Sequence, residues 1–181
     1  MTLGHAILGL LQQERMTGYD LKTHCFDQTI AHLWSADQAQ IYKTLDKLVE
    51  RGWLARTVEI QHERPNRKIH SVTEAGKAKL VKWLQCHQPL PTVREPLLIQ
   101  LFFAAGLPNE GIINLLEQQL VARHEKLAEC EEIELPSLGD ESASHEQVMQ
   151  RLVLELVMQK EQTYIDWLST AINVISRQKQ E

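Results

Sequence analysis

Residues 35–73 read SADQAQIYKTLDKLVERGWLARTVEIQHERPNRKIHSVT, and a change of period inside this stretch decides the fold. Ile41, Leu45 and Leu48 recur at steps of four and three, which makes one side of a helix apolar. Ser35 with Gln38 matches the S-x-x-Q capping box and is expected to open that helix, and Gly52 is expected to stop it. The opposite side carries Gln38, Gln40, Tyr42, Lys43, Asp46 and Lys47. From Trp53 the period falls to two: Trp53, Ala55, Thr57 and Glu59 alternate with Leu54, Arg56, Val58 and Ile60, as in a strand. His62 to Asn66, with its Pro-Asn pair, is a turn, and Arg67 to Val72 is the returning strand. Lys68, His70 and Val72 share one face of that strand, Ile69 and Ser71 the other.

Upstream, Leu3, Ala6, Ile7, Leu10 and Leu11 predict a helix over Thr2–Glu14. Met16-Thr17-Gly18 reads as a turn, with Thr17 capping a second helix over Gly18–Ile30 and Asp20 at its third position. Leu21 and Phe26 are expected inside, and Tyr19 is expected to pack with a wet hydroxyl. Downstream, Thr73 caps a helix over Glu74–Gln85 anchored by Leu80, Trp83 and Leu84. Three helices, a hairpin and a closing helix make a winged helix-turn-helix.

Pro89, Pro91 and Pro96 mark a boundary near Gln88, giving modules at 1–88 and 89–181. The second module reads as helices. One spans Thr92–Ala105 and ends at Gly106; the next starts at Pro108 and runs to Glu134, with Ile113, Leu116, Leu120, Leu127 and Cys130 near heptad spacing. Leu135–Ser144 is a loop, and a long helix over His145–Arg177 carries Val148, Leu152, Leu156, Leu168, Ile172 and Ile175. The fold class is mainly α with a small β-hairpin: an N-terminal winged helix-turn-helix plus a C-terminal helical dimerisation domain.

Composition narrows the function. The chain has 181 residues, 43% of them hydrophobic and 24% charged, as in an ordinary globular protein. No apolar run reaches the roughly 18 residues of a membrane span, and Met1–Leu11 lacks a basic leader, so a cytoplasmic protein without a membrane partner is expected. The net charge of −5 is unevenly divided. Residues 1–88 hold twelve Lys and Arg against nine Asp and Glu, net +3; residues 89–181 hold seven against fifteen, net −8. Such asymmetry suits two modules with different partners.

Eight His and three Cys (Cys25, Cys86, Cys130) invite a metal or Cys–His reading. Yet the adjacent pairs His24-Cys25 and Cys86-His87 point apart on a helix, and no HExxH, GxSxG, P-loop or GxGxxG occurs. No catalytic residue, metal ligand or cofactor is assigned, and the chain is not read as an enzyme. A metal-sensing site and a redox switch at Cys25 or Cys130 are the exceptions kept open.

Four motifs in order resemble PadR-type transcriptional regulators. Gly18-Tyr19-Asp20-Leu21 is similar to the opening of that family's second helix. Gln40 to Leu48 followed by Gly52-Trp53-Leu54 is similar to its recognition helix and the glycine after it. Asn66-Arg67-Lys68-Ile69-His70-Ser71-Val72-Thr73-Glu74-Ala75-Gly76 is similar to its wing and following helix. Pro91-Thr92-Val93-Arg94-Glu95 is similar to the start of the C-terminal part in the virulence-gene activator branch. His70 stands where the family usually has Tyr, and Lys43 where many members have Pro; the second departure agrees with the activator branch.

The resemblance implies a sequence-specific DNA-binding regulator without cofactors, acting as a homodimer on an inverted repeat, with a recognition helix at about 36–51 and a wing at about 61–68. Gln38 and Gln40 suit bidentate reading of adenine in the major groove. Tyr42, Lys43 and Lys47 suit phosphate, and Arg64, Arg67 and Lys68 surround the wing tip. Leu116, Leu120, Leu152, Leu156, Trp167, Leu168 and Ile172 are expected at the dimer interface, because a long helix cannot bury an apolar face alone. Two alternatives stand beside this: a sensor responding to a small molecule, a metal or redox change, and a winged-helix protein–protein adaptor. A small-molecule effector or a second regulator protein is therefore carried as a further partner.

Overall fold

The computed structural model describes residues 2–60, 66–92 and 94–178, which divide into two compact units, 1–90 and 91–181. The first unit runs α1 (Thr2–Gln13), β1 (Met16–Thr17), α2 (Gly18–Asp20), a π-helical stretch Leu21–Thr29, α3 (Gln38–Glu50), β2 (Leu54–Glu59), β3 (Arg67–Val72) and α4 (Glu74–Leu84). The second holds α5 (Pro96–Phe102), a 3₁₀ turn at Ala104–Gly106, α6 (Asn109–Glu131) and α7 (His145–Arg177).

The core of the first unit lies where Ile7, Leu8 and Leu11 of α1 meet Leu21, Cys25 and Phe26, the inward stripe of α3, Leu54 of β2 and Leu80 of α4. Against the sequence expectations, His5 and Leu8 are buried on α1, whereas Leu84 of α4 is 66% exposed and anchors nothing. Trp83 does pack, its ring lying parallel to that of His5 at 4.5 Å.

Two expectations about local structure are corrected. Met16-Thr17 is not a turn but a short strand on the far side of β3, so the hairpin becomes a three-stranded antiparallel sheet of order β1-β3-β2. Met16 pairs with His70 and Thr17 with Ile69; Leu54–Glu59 pair with Val72–Arg67. Two residues are too few to show an alternation in sequence. The second helix is π-wound over Leu21–Thr29, with Ile30 N–H donating five residues back to Cys25 O at 2.9 Å. The wider turn, with hydrogen bonds spanning five residues, places Leu21, Cys25 and Phe26 on one buried side, and Lys22 meets Asp27 across the same interval.

Thr17 does cap α2. Asp20 N–H donates to Thr17 Oγ1 at 3.1 Å, and Thr17 N–H donates back to Asp20 Oδ2 at 3.1 Å. Thr73 likewise caps α4, its Oγ1 accepting from Gly76 N–H. The cap of α3, however, is Asp37, whose Oδ1 accepts from Gln40 N–H at 2.7 Å; Ser35 lies outside the helix. A carboxylate at the helix start gains from the dipole as well as the hydrogen bond, and so outcompetes a hydroxyl two residues upstream. At the other end Gly52 takes φ +69°, Gly52 N–H donates to Val49 O and Trp53 N–H to Leu48 O, each at 2.9 Å. This Schellman ending turns the chain directly into β2.

In the second unit α6 and α7 form a long antiparallel hairpin. Leu97, Ala104, Ile112, Leu116 and Leu168 make its core at one end. Ile112, not Ile113, is the fully inward residue of the first turn, α6 stops at Glu131 rather than Glu134, and α5 is confined to Pro96–Phe102. Val93 and residues 61–65, the tip of the hairpin, lie outside the described residues.

Candidate nucleic-acid interface

The site is built on α3. Its inward stripe, Ile41, Leu45 and Leu48, is buried against α1 and the second helix, which leaves the other side in solvent. Gln38, Gln40, Lys43, Asp46 and Lys47 are exposed there, and Tyr42 is 40% exposed. A Cβ at Gly18 would lie 2.8 Å from Tyr42 Cε1 and 3.1 Å from Leu45 Cδ1, so α2 and α3 cross this closely because residue 18 has no side chain. That contact holds the Tyr42 ring by its inner edge. Tyr19, expected to pack, is instead 62% exposed.

The cations divide into two kinds. Lys43, Lys47 and Lys68 are exposed and form no ion pair among the described residues. Arg67, at the base of the wing, donates from Nη2 to Asp20 Oδ2 at 3.1 Å and ties β3 to the cap of α2. Burial raises the pKa of Asp20, but the Thr17 hydrogen bonds and the Arg67 charge outweigh it and hold the carboxyl below the usual range. Arg64 lies outside the described residues, as does the tip on which it was placed.

Three cations near α3 escaped the sequence reading. Arg56 on β2 donates to Asp46 Oδ1 on α3 at 3.0 Å, joining the sheet to α3 by an ion pair. Arg51 and Lys79 lie 5.1 and 5.4 Å from the centroid of the Trp53 ring, just past the end of α3. Arg56 shares the phase of buried Leu54 on the alternating strand, and its charge at a position on that phase was the signal that it turns toward a partner.

His70 is buried, not part of an exposed wing face. It sits on β3 opposite Met16 on one side and Arg56 on the other. Among the described residues its Nδ1 has no hydrogen-bond partner. Burial first, then the Arg56 charge, pushes its pKa down, with Asp46 opposing. Where the resembling family carries Tyr, this chain thus has a buried strand histidine whose charged form is disfavoured.

Cys25 and Cys130 are buried, and burial pushes both thiols up, away from the thiolate that a redox switch needs. Among the described residues no group of three or more His, Cys, Asp or Glu is placed to hold a metal, and no helix is long and apolar enough to cross a membrane.

The residues expected at a dimer interface separate in the second unit. Leu116 and Leu168 are fully buried within the chain, and Leu120 and Ile172 pack partly against the same core. Leu152, Leu156 and Trp167 remain exposed on α7. Midway along the hairpin, buried Glu161 accepts from Arg123 Nη1 at 2.8 Å and pairs with Lys126 Nζ at 3.1 Å. Arg123 Nη2 reaches Glu95 at 2.9 Å, and Tyr164 donates to the same carboxylate. Burial raises the pKa of Glu161, but its two cations outweigh that and hold it down.

Residues 7–82 match the Transcriptional regulator PadR-like family, and residues 93–176 match the Virulence activator alpha C-term family. The chain is 31% identical over 179 residues to the negative transcriptional regulator PadR of Bacillus subtilis, covering 97% of this chain and 98% of that one. The crystal structure of that PadR with operator DNA superposes with a TM-score of 0.81 at 30% identity, over 97% and 99% of the two chains. Its structure with p-coumaric acid gives 0.77 at 28% identity, over 98% and 100%. The Vibrio cholerae virulence activator AphA gives 0.76 at 26%, over 96% and 98%. With the motifs, the winged helix and relatives along almost its whole length in agreement, the chain belongs to the PadR family of DNA-binding transcriptional regulators, with a C-terminal half of the virulence-activator type, and is not an enzyme.

Proposed function

We propose that this regulator binds an inverted-repeat DNA site as a homodimer, with residues 1–88 as the DNA-binding domain and 89–181 as the dimerisation domain. In this reading α3 lies in the major groove and the wing, about 61–68, follows the backbone or minor groove. Gln38 and Gln40 read adenine edges; Tyr42, Lys43 and Lys47 hold phosphates; Arg64, Arg67 and Lys68 serve the wing. The observation that carries it is the division of α3: every candidate reader is exposed while Ile41, Leu45 and Leu48 are buried. The relative solved with operator DNA supports the same use of the fold.

Binding to the DNA upstream of its own gene tests the reading, measured by fluorescence anisotropy against an unrelated duplex of equal length. Gln40→Ala with Lys47→Ala is expected to weaken specific binding at least tenfold, since a bidentate base contact contributes about 1–3 kcal/mol. Loss of the lysine should also reduce the salt slope by about 0.9. Unchanged affinity would take α3 out of the groove. Sedimentation equilibrium tests the homodimer, for which exposed Leu152, Leu156 and Trp167 argue.

A second reading has one observation behind it. A 31%-identical relative is solved with p-coumaric acid, which supports a small-molecule effector for this chain too. A thermal-shift series with phenolic acids tests it, and no stabilisation at millimolar ligand would count against it.

A further inference from the structure

α5 leaves most of its apolar surface uncovered. Only Leu97 of its seven residues is buried. Leu98 and Ile99 are exposed, and Phe102 and Phe103 are 79% and 74% exposed. The two rings meet edge to face, centroids 5.0 Å apart at 80°. Leu97 before the pair and Ala104 after it are both in the second core, so the backbone that presents the rings is fixed from both sides. Rigid presentation lowers the entropy cost of inserting such side chains into a partner.

Beside this turn lies an open cleft of about 850 Å³, between the start of α6 and the end of α7. Leu107, Ile112, Trp167, Ala171 and Val174 are among its walls. Among the described residues no Lys, Arg, His, Asp or Glu lines it. Leu101 and Ala104 line the cleft, whereas the exposed Phe102 and Phe103 are not among its walls.

We propose that Phe102 and Phe103 are the anchor by which two copies of this chain hold each other, each pair entering the other copy's cleft between α6 and α7. This rests on the homodimer reading and names its contact. Pair and cleft belong to one unit, so the two-fold rotation that seats one pair seats the other. At roughly 150–250 Å² per aromatic side chain, the two phenylalanines and Trp167, together with Leu98 and Ile99, expose several hundred Å² of apolar surface. That is of the order of the about 800 Å² per partner that a stable interface removes, and at or above the largest patch of a typical monomer, about 300–600 Å².

The test is directed cross-linking in the full chain, with Cys86→Ser removing the exposed thiol. One tagged version carries Phe102→Cys and another carries Val174→Cys; the two are mixed and oxidised. A covalent heterodimer of twice the chain mass is expected. In parallel, Phe102→Ser with Phe103→Ser should raise the dimer dissociation constant at least tenfold with an unchanged far-UV circular dichroism spectrum, because both rings are already in solvent in the single chain. A wild-type dimer with no cross-link and no response to the double serine variant overturns the anchor and leaves the homodimer reading standing. A monomeric wild type overturns both. Protection of the Val174→Cys thiol from alkylation by p-coumarate, with the dimer mass unchanged, would give the cleft to a small ligand and overturn the anchor.

Discussion

His70 carries a pH dependence. Its pKa is pushed below that of an ordinary histidine, near 6.5, by burial and by Arg56. The unfolded chain therefore takes up a proton that the folded sheet resists. Stability from this residue is complete above pH 6.5 and is lost as pH falls below it toward the folded value. Urea unfolding of wild type and His70→Tyr at pH 7.5 and 5.5 checks this: the wild type should lose more stability on acidification than the variant. Arg56 and Lys68 oppose the proton and Asp46 favours it, so removal of Asp46 should steepen the loss. Glu161 behaves differently. Its side chain is 5% exposed and bound to two cations, so Glu161→Ala leaves Arg123 short of a partner in a half-buried setting. Because Arg123 keeps Glu95 and Lys126 is largely solvated, the expected cost is about 1–3 kcal/mol in urea unfolding.

The beginnings and ends of helices obey a competition that residue types alone do not settle. Ser35 and Asp37 both precede the apolar stripe of α3, and only Asp37 receives the Gln40 N–H. Asp37→Ala should therefore lower stability by about 1 kcal/mol and Ser35→Ala by much less, as thermal melts of the two variants would show. The long-period features were legible: the stripe of α3, the Thr17 and Thr73 caps, the Gly52 stop and the whole of α7 can be read from spacing. What was not legible depends on contacts distant in sequence. β1 exists because Met16 and Thr17 meet His70 and Ile69, and the π winding brings Leu21, Cys25 and Phe26 into one core. Leu116 and Leu168 have the same pattern as an interface stripe, but α6 and α7 use them on each other. In the candidate site, the outward residues of α3 were legible for the same reason as its inward ones. The Arg56–Asp46 and Arg67–Asp20 pairs were not, since each joins elements whose approach spacing does not encode.

At the scale of the molecule, the division into residues 1–90 and 91–181 gives each unit its own core. A fragment ending at Leu90 should therefore unfold cooperatively alone, and by the homodimer reading it should bind a half-site as a monomer, far more weakly than the full chain. Circular dichroism melts and anisotropy on a half-site duplex check both. The ion pair between Arg67 and Asp20 adds a thermodynamic consequence. In the proposed complex, a lysine such as Lys43 or Lys47 that neutralises a phosphate releases cations condensed on the DNA, and that release makes binding sensitive to salt. Arg67 arrives with its counterion built into the protein. In that complex a phosphate that takes Arg67 must displace a carboxylate that cannot diffuse away, so this arginine is expected to add less to the salt slope than an unpaired lysine. The displaced Asp20 then titrates closer to an ordinary carboxyl, and the trace of the exchange is proton uptake on binding under mildly acidic conditions.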